Sequence, residues 1–241
     1  MIPLRDNAGA PRLSPVNLLL IAANVIVFGY ELKLGAASED LMMRWGMTPA
    51  HIAAIGASSV TAAAHALLTL VTAMFLHGGV LHLAGNLLYL YIFGAAVEAR
   101  FGHDRYLYFY LVAGVASGLA TVFIDPASEV PVIGASGAIA AVLGAYFVLY
   151  PRAKILTILP FFVFIEFIEV PALVYLLIWF GWQLFSGLQS RAFHNMAGGV
   201  AWWAHIGGFL FGIATAPLLA RRETPKARGG GARKRVSRAA R

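Results

Sequence analysis

The chain has 241 residues, 60% of them hydrophobic and only 12% charged, with a mean hydropathy of +0.76. Soluble domains run at about 45–50% apolar and about 25% charged, so a soluble globular domain and a disordered chain are both excluded. There is no cysteine, which removes disulfides, zinc–thiolate sites and thiol nucleophiles. The formal charge is +7, but residues 221–241 alone hold nine Lys/Arg against one acid, Glu223. The basic character belongs to that tail, and nothing suggests a nucleic-acid groove on the folded body.

Apolar stretches fall at 15–30, 82–101, 106–124, 136–150, 171–188 and 202–220. A membrane helix needs roughly 20 apolar residues, so the pattern predicts an all-α membrane protein, a bundle of six transmembrane helices. Ser14 and Pro15 form an N-cap and first-turn pair for the first span. No small-residue cleavage site follows it, so it reads as a span and not as a removed signal peptide. The connection 35–81 is long for a compact bundle. It includes the apolar run HALLTLVTAMFL (65–76) and is expected to lie partly in the outer leaflet. Asp104 is a candidate cap for the third span, and Pro151 closes the fourth. The run ILTILPFFVFIEFIEV (155–170) is broken by Pro160 and carries Glu166 and Glu169; it reads as an interfacial connection. Three regions result: a short N-terminus (1–14), the membrane domain (15–220) and a basic tail (221–241) expected to be disordered and to touch anionic lipid.

Orientation follows from the connections. Arg5, Arg12, Arg100, Arg105, Arg152, Lys154 and the nine tail cations make fifteen on one side, against Lys33, Arg44 and Arg191 on the other. Both termini are therefore expected in the cytoplasm.

Polar side chains inside spans are costly and point to function. His82 and Asn86 lie in the second span, Ser136 in the fourth and His205 in the sixth. Counted from the inner boundary, Ser136 is 16 residues from Arg152 and His205 is 16 from Arg221. His82 and Asn86 straddle the same level. At about 1.5 Å per residue this is a depth of about 24 Å, within a core about 30 Å thick. Taken singly, each has a plain structural reading: the serine as interhelical glue, His82 and Asn86 as a helix-joining i, i+4 pair. Their shared depth sets those readings back. Ser136 opens a helix in the run Gly134-Ala135-Ser136-Gly137, with Ala140, Ala141 and Gly144 below it. Ala204, Gly208 and Gly212 repeat every four residues beside His205. Small residues so spaced let helix backbones approach closely, which a Ser–His hydrogen bond requires. A helix N-terminus also supplies free N–H groups that stabilise an oxyanion.

The segments HGGVLHLAGNLLYLYIFGAAVEARFG (77–102), IGASGAIAAVLGAY (133–146) and AHIGGFLFG (204–212) resemble the rhomboid family of intramembrane serine proteases. With the six spans, the resemblance covers about 15–220. It implies that Ser136 is the nucleophile and His205 the general base of a catalytic dyad. It further implies oxyanion binding by His82, Asn86 and the backbone of Ala135 and Ser136. It implies cleavage of single-pass or multi-pass membrane protein substrates near their outer end, with no metal, no ATP and no other cofactor. Glu98-Ala99-Arg100 resembles the Glu-x-Arg that ends the second span; 16 residues from His82, it reads as an anchor. Loop 190–201 and the fifth span match the lid and lateral access route. The chain departs from the family in two places. Residues 65–72 lack the Trp-Arg that many members carry there, leaving Trp45 as an alternative anchor for the loop. Ala140 stands where some bacterial members have a tyrosine packed on the catalytic histidine, so another group has to orient His205. Asp125 is the one nearby carboxylate candidate.

The alternative is a catalytically inactive rhomboid-like protein that binds membrane clients; such proteins lack the serine or the histidine, and both are present here. A proton channel would need acidic relay partners in the spans. A metalloprotease would need His-Glu-x-x-His, which is absent. The short chain suggests the inner (plasma) membrane of a bacterium.

Overall fold

The computed structural model describes residues 1–9, 14–161, 164–192 and 201–221. The chain is mostly helical: α1 (Pro15–Leu34), α2 (Ser38–Trp45), α3 (Pro49–Ala53), α4 (Val60–Thr72), α5 (Val80–Tyr89), α6 (Ala95–Phe101), α7 (His103–Ile124), α8 (Ser136–Leu149), α9 (Ala172–Ala192) and α10 (Trp202–Leu219). Among the described residues, five stretches are long and apolar enough to cross a membrane: Pro15–Trp45, Val80–Phe101, His103–Ile124, Ala172–Arg191 and Trp202–Leu219. The remaining predicted span, α8, has 14 residues, about 21 Å at the helical rise, and is shorter than the hydrocarbon core. It is buried from Gly137 to Tyr146, so it forms the centre of the bundle and its N-terminus opens inside the protein.

The start of α1 shows how a distant residue completes a helix. Ser14 takes the extended N-cap conformation but makes no side-chain cap bond. Instead the buried Glu98 carboxylate accepts the Val16 N–H at 3.2 Å and the Asn17 N–H at 2.8 Å. A negative charge on orphan N–H groups at the positive end of a helix is doubly favourable. Glu98 also meets His103 Nδ1 at 2.6 Å. The anchoring role expected for Glu98 is thus a helix cap made in trans. Between α5 and α6 the span passes through one π-helical turn, Leu90–Gly94. Asn17 Nδ2 donates to the Leu90 carbonyl there at 2.9 Å, and the Tyr106 hydroxyl donates to Asn17 Oδ1 at 2.8 Å.

Two sequence readings need refinement. Residues 155–170, read as an interfacial connection, carry strands the sequence did not announce: β2 (Lys154–Phe161) and β3 (Phe164–Pro171) pair antiparallel. β1 (Ile2–Asp6) adds to its other side, pairing Ile2 with Ile158 and Asp6 with Ile155 across a bulge between Pro3 and Arg5. The run does not alternate apolar with polar, and β1 lies far away in sequence, so periodicity carried no sign of the sheet. The third-span cap is also different. Gly102, with φ +82°, is the N-cap of α7. Asp104 sits inside the first turn, where its charge still faces the positive end of the helix.

The long connection 35–81 folds into α2, α3, α4 and short 3-10 turns. Trp45 holds it: its ring lies 5.1 Å from that of His65, and the Thr72 hydroxyl donates to its carbonyl at 2.8 Å. Met47 and Val132 then bridge the connection to the segment just before α8. The loop is thereby tied to the end of α8 that carries Ser136. The basic tail beyond Arg221 lies outside the described residues.

Candidate active site

Ser136 is the first residue of α8. The chain reaches it through Gly134, whose φ of +114° is a conformation that side chains with a Cβ rarely adopt. The Gly134 N–H donates to the Ala73 carbonyl at 2.8 Å, fixing the turn. His205 lies in the first turn of α10. The two helices meet through small residues. A Cβ on Gly208 would run into the Gly137 carbonyl, and one on Gly212 into the Ala141 carbonyl. The predicted stripe therefore packs backbone on backbone. Across this contact His205 Nε2 and Ser136 Oγ stand 2.8 Å apart.

His205 is 9% exposed. Its other nitrogen, Nδ1, lies 2.7 Å from Gln183 Oε1 on α9, and Gln183 is itself buried. The rings of Trp179 and Trp202 pack on the imidazole at 6.1 and 6.2 Å, the second edge-on. These three side chains surround the histidine where Ala140 offers only a methyl group. Gln183 was not among the residues singled out from the sequence, because a lone glutamine on an apolar helix carries no motif. Asp125 ends α7 as its C-cap, and the Nδ1 position a third triad member would take is held by Gln183. Of the expected lid, residues 193–200 lie outside the described residues; Trp202 and Trp203 form the first turn of α10.

His82 and Asn86 share one face of α5 and both lie against Gly134. A Cβ built there would be 2.7 Å from His82 Nε2 and 3.6 Å from Asn86 Nδ2. The Gly78 N–H donates to His82 Nδ1 at 3.4 Å. With that nitrogen accepting, the ring proton sits on Nε2, the atom turned toward Gly134. Asn86 Nδ2 is buried with no hydrogen-bond partner among the described residues. A buried donor left unpaired is costly, and such groups call for a functional explanation. Two side-chain donors thus stand beside Gly134 at the opening of α8. The Ser136 hydroxyl, the His205 imidazole and these two side chains are thereby gathered at the N-terminal end of α8. A cavity of about 30 Å³ adjoins Ser136, lined by Met74, Gly114, Ser117, Gly118, Ile133 and Ala204 among others.

His77 lies just before α5, its ring 5.1 Å from that of His82. Burial, reinforced by the neighbouring His82, pushes its imidazole down to about 4. Among the described residues no three His, Cys, Asp or Glu side chains gather as a metal site.

Comparison with known proteins identifies the family. The rhomboid domain model matches residues 64–222, about two thirds of the chain. The rhomboid protease GluP of Bacillus subtilis is 45% identical over 76 residues, covering 32% of this chain and 14% of that protein. The mitochondrial presenilin-associated rhomboid-like protein A of Danio rerio is 31% identical over 152 residues, covering 61% of this chain and 36% of its own length. The mitochondrial rhomboid protein 1 of Saccharomyces cerevisiae is 30% identical over 156 residues, 61% of this chain and 40% of that protein. The chain therefore spans well under half the length of these relatives. A domain match over most of the membrane core, carried on five membrane-length helices around a short central one, makes this chain a multi-pass membrane protein that belongs to the rhomboid family.

Proposed function

We propose that the chain is an intramembrane serine endopeptidase that cuts transmembrane segments of other membrane proteins near the outer face. The observation that carries the reading is the 2.8 Å approach of Ser136 Oγ to His205 Nε2 at the buried N-terminus of α8. His205 takes the hydroxyl proton as Ser136 Oγ attacks the scissile carbonyl. The tetrahedral oxyanion is met by His82 Nε2–H, Asn86 Nδ2–H and the backbone N–H groups of Ala135 and Ser136. As the C–N bond breaks, His205 returns the proton to the leaving amine. Water, deprotonated by His205, then hydrolyses the acyl-enzyme and frees Ser136. A hydrogen-bonded substrate helix shields its carbonyls, so the cut site has to unwind, and helix-breaking and small residues are favoured there. The charge asymmetry supports cytoplasmic termini, with 1–14 and 221–241 flanking the membrane domain on that side. A bacterial inner (plasma) membrane is the proposed location.

Purified Ser136→Ala and His205→Ala proteins test this. Each should lose cleavage of a single-span reporter carrying a helix-breaking, small-residue segment near its outer end, while staying folded. The double variant should be no worse than either single one, because the pair acts as a unit. Substantial cleavage by Ser136→Ala removes the serine-protease reading.

A further inference from the structure

We infer that Gln183 is a positioning residue that sets the tautomer of His205. The inference rests on the proposed roles of Ser136 and His205. For His205 to act as a base, Nε2 has to be the unprotonated nitrogen, so the ring proton must sit on Nδ1. Nδ1 faces Gln183 Oε1 at 2.7 Å, a short distance for an N–H···O bond. An amide oxygen there accepts the Nδ1 proton and leaves the Nε2 lone pair toward the Ser136 hydroxyl at 2.8 Å. The reverse amide orientation would place an N–H against Nδ1 and force the proton onto Nε2. The serine would then be the acceptor, and the base would be lost.

Burial makes the choice of partner matter. Gln183 is 6% and His205 9% exposed, so water does not readily replace a missing acceptor. No carboxylate does this work: the Nδ1 partner is a neutral amide. A neutral acceptor fixes the tautomer without adding a second buried charge to the site. Its strength as an orienter comes from its place on α9, which brings Gln183 to α10 independently of the α8–α10 contact that sets the Ser–His distance. The Trp179 and Trp202 rings at 6.1 and 6.2 Å restrict ring rotation but offer no acceptor to Nδ1.

The test uses the full chain in detergent, with Gln183→Met, which keeps length but removes the strong acceptor, and Gln183→Glu, which keeps only acceptors. Cleavage of the single-span reporter gives kcat and KM; the labelling rate by a fluorophosphonate reports Ser136 nucleophilicity without substrate docking. We expect Gln183→Met to lose about 10–100-fold in both kcat and labelling rate with KM within about twofold. This is less than the ~10⁴-fold loss when a triad histidine is held in the wrong tautomer, because here it is released and not inverted. Gln183→Glu should retain most activity. Unchanged kcat and labelling in Gln183→Met, or equal losses in both variants, would overturn the inference. Nitrogen NMR of histidine-labelled wild type, with the His205 signal identified by its loss in His205→Gln, reads the tautomer directly and needs no variant of Gln183 to fold. Protonation on Nδ1 supports the inference; protonation on Nε2 overturns it. That reading needs no activity, so it stays separate from the Ser136→Ala result that decides the protease proposal.

Discussion

Gly208→Ala is the sharpest test of how the bundle sets the Ser–His distance. The added Cβ would collide with the Gly137 carbonyl. Carbon–oxygen contacts settle at about 3.3 Å or more, so α10 has to back away from α8 by about 1 Å. His205 lies three residues before Gly208 on α10, and Ser136 directly precedes Gly137. The separation would therefore carry over to the reacting pair. Starting from 2.8 Å, the Oγ–Nε2 distance would reach about 3.8 Å, beyond hydrogen-bonding range. Misplacement of about 1 Å costs on the order of 10²-fold in rate, while overpacking costs about 1–3 kcal/mol of stability. The expected variant is folded, with a lowered Tm, and nearly inactive. Steady-state cleavage of the reporter, fluorophosphonate labelling and Tm would be measured together. Gly29→Ala on α1, where a Cβ meets nothing within 4 Å, should behave as wild type. Wild-type kcat in Gly208→Ala would refute the claim that the backbone contact sets the catalytic distance.

Three further outcomes are expected. Asn86→Ala should lower kcat by about 10²–10³-fold with little change in KM. Because Asn86 Nδ2 has no partner among the described residues, Tm should hold; a clear fall in Tm with unchanged kcat would make Asn86 structural. Glu98→Ala should act the other way. It strips the acceptor from Val16, Asn17 and His103, and buried N–H groups left unpaired cost about 1–3 kcal/mol, so Tm should fall while kcat below the transition stays near wild type. Acid should destabilise the fold through His77. Its pKa is about 4 in the folded protein against 6.5 ordinarily, so the unfolded chain binds the proton first. Stability is then lost as pH falls from about 6.5 toward 4, and Tm against pH should be flatter over that window in His77→Gln.

Much of this molecule is legible in its sequence because membrane burial constrains composition so strongly. With no water in the hydrocarbon core, backbone groups must pair within each segment. Apolar runs of about 20 residues therefore announce helices without any knowledge of their neighbours. The small-residue stripe at Ala204, Gly208 and Gly212 announced a close helix contact on the same local logic. The depth of Ser136, His205, His82 and Asn86 came from counting residues to the inner boundary, which works because helical rise is constant. The β-sheet escaped because β1 and β2 are joined only through space: strand pairing is a non-local event, and 155–170 has no alternation to betray it. The short α8 was legible too: the apolar run 136–150, opened at Ser136 and closed by Pro151, matches the helix Ser136–Leu149.

Which residues would form a site was written in motifs; how that site is held together was not. The Gly134-Ala135-Ser136-Gly137 and Ala204-His205 segments and the histidine–asparagine pair at i, i+4 all follow from residue type and spacing. The acceptor for His205 Nδ1 does not. Gln183 belongs to another helix, 22 residues away, and only the packing of α9 against α10 brings it to the imidazole. The same holds for Glu98 reaching the start of α1. Local chemistry selects the reacting groups because each must be of a given type. Their orientation is decided by partners from other helices, and those contacts exist only once the tertiary structure has formed.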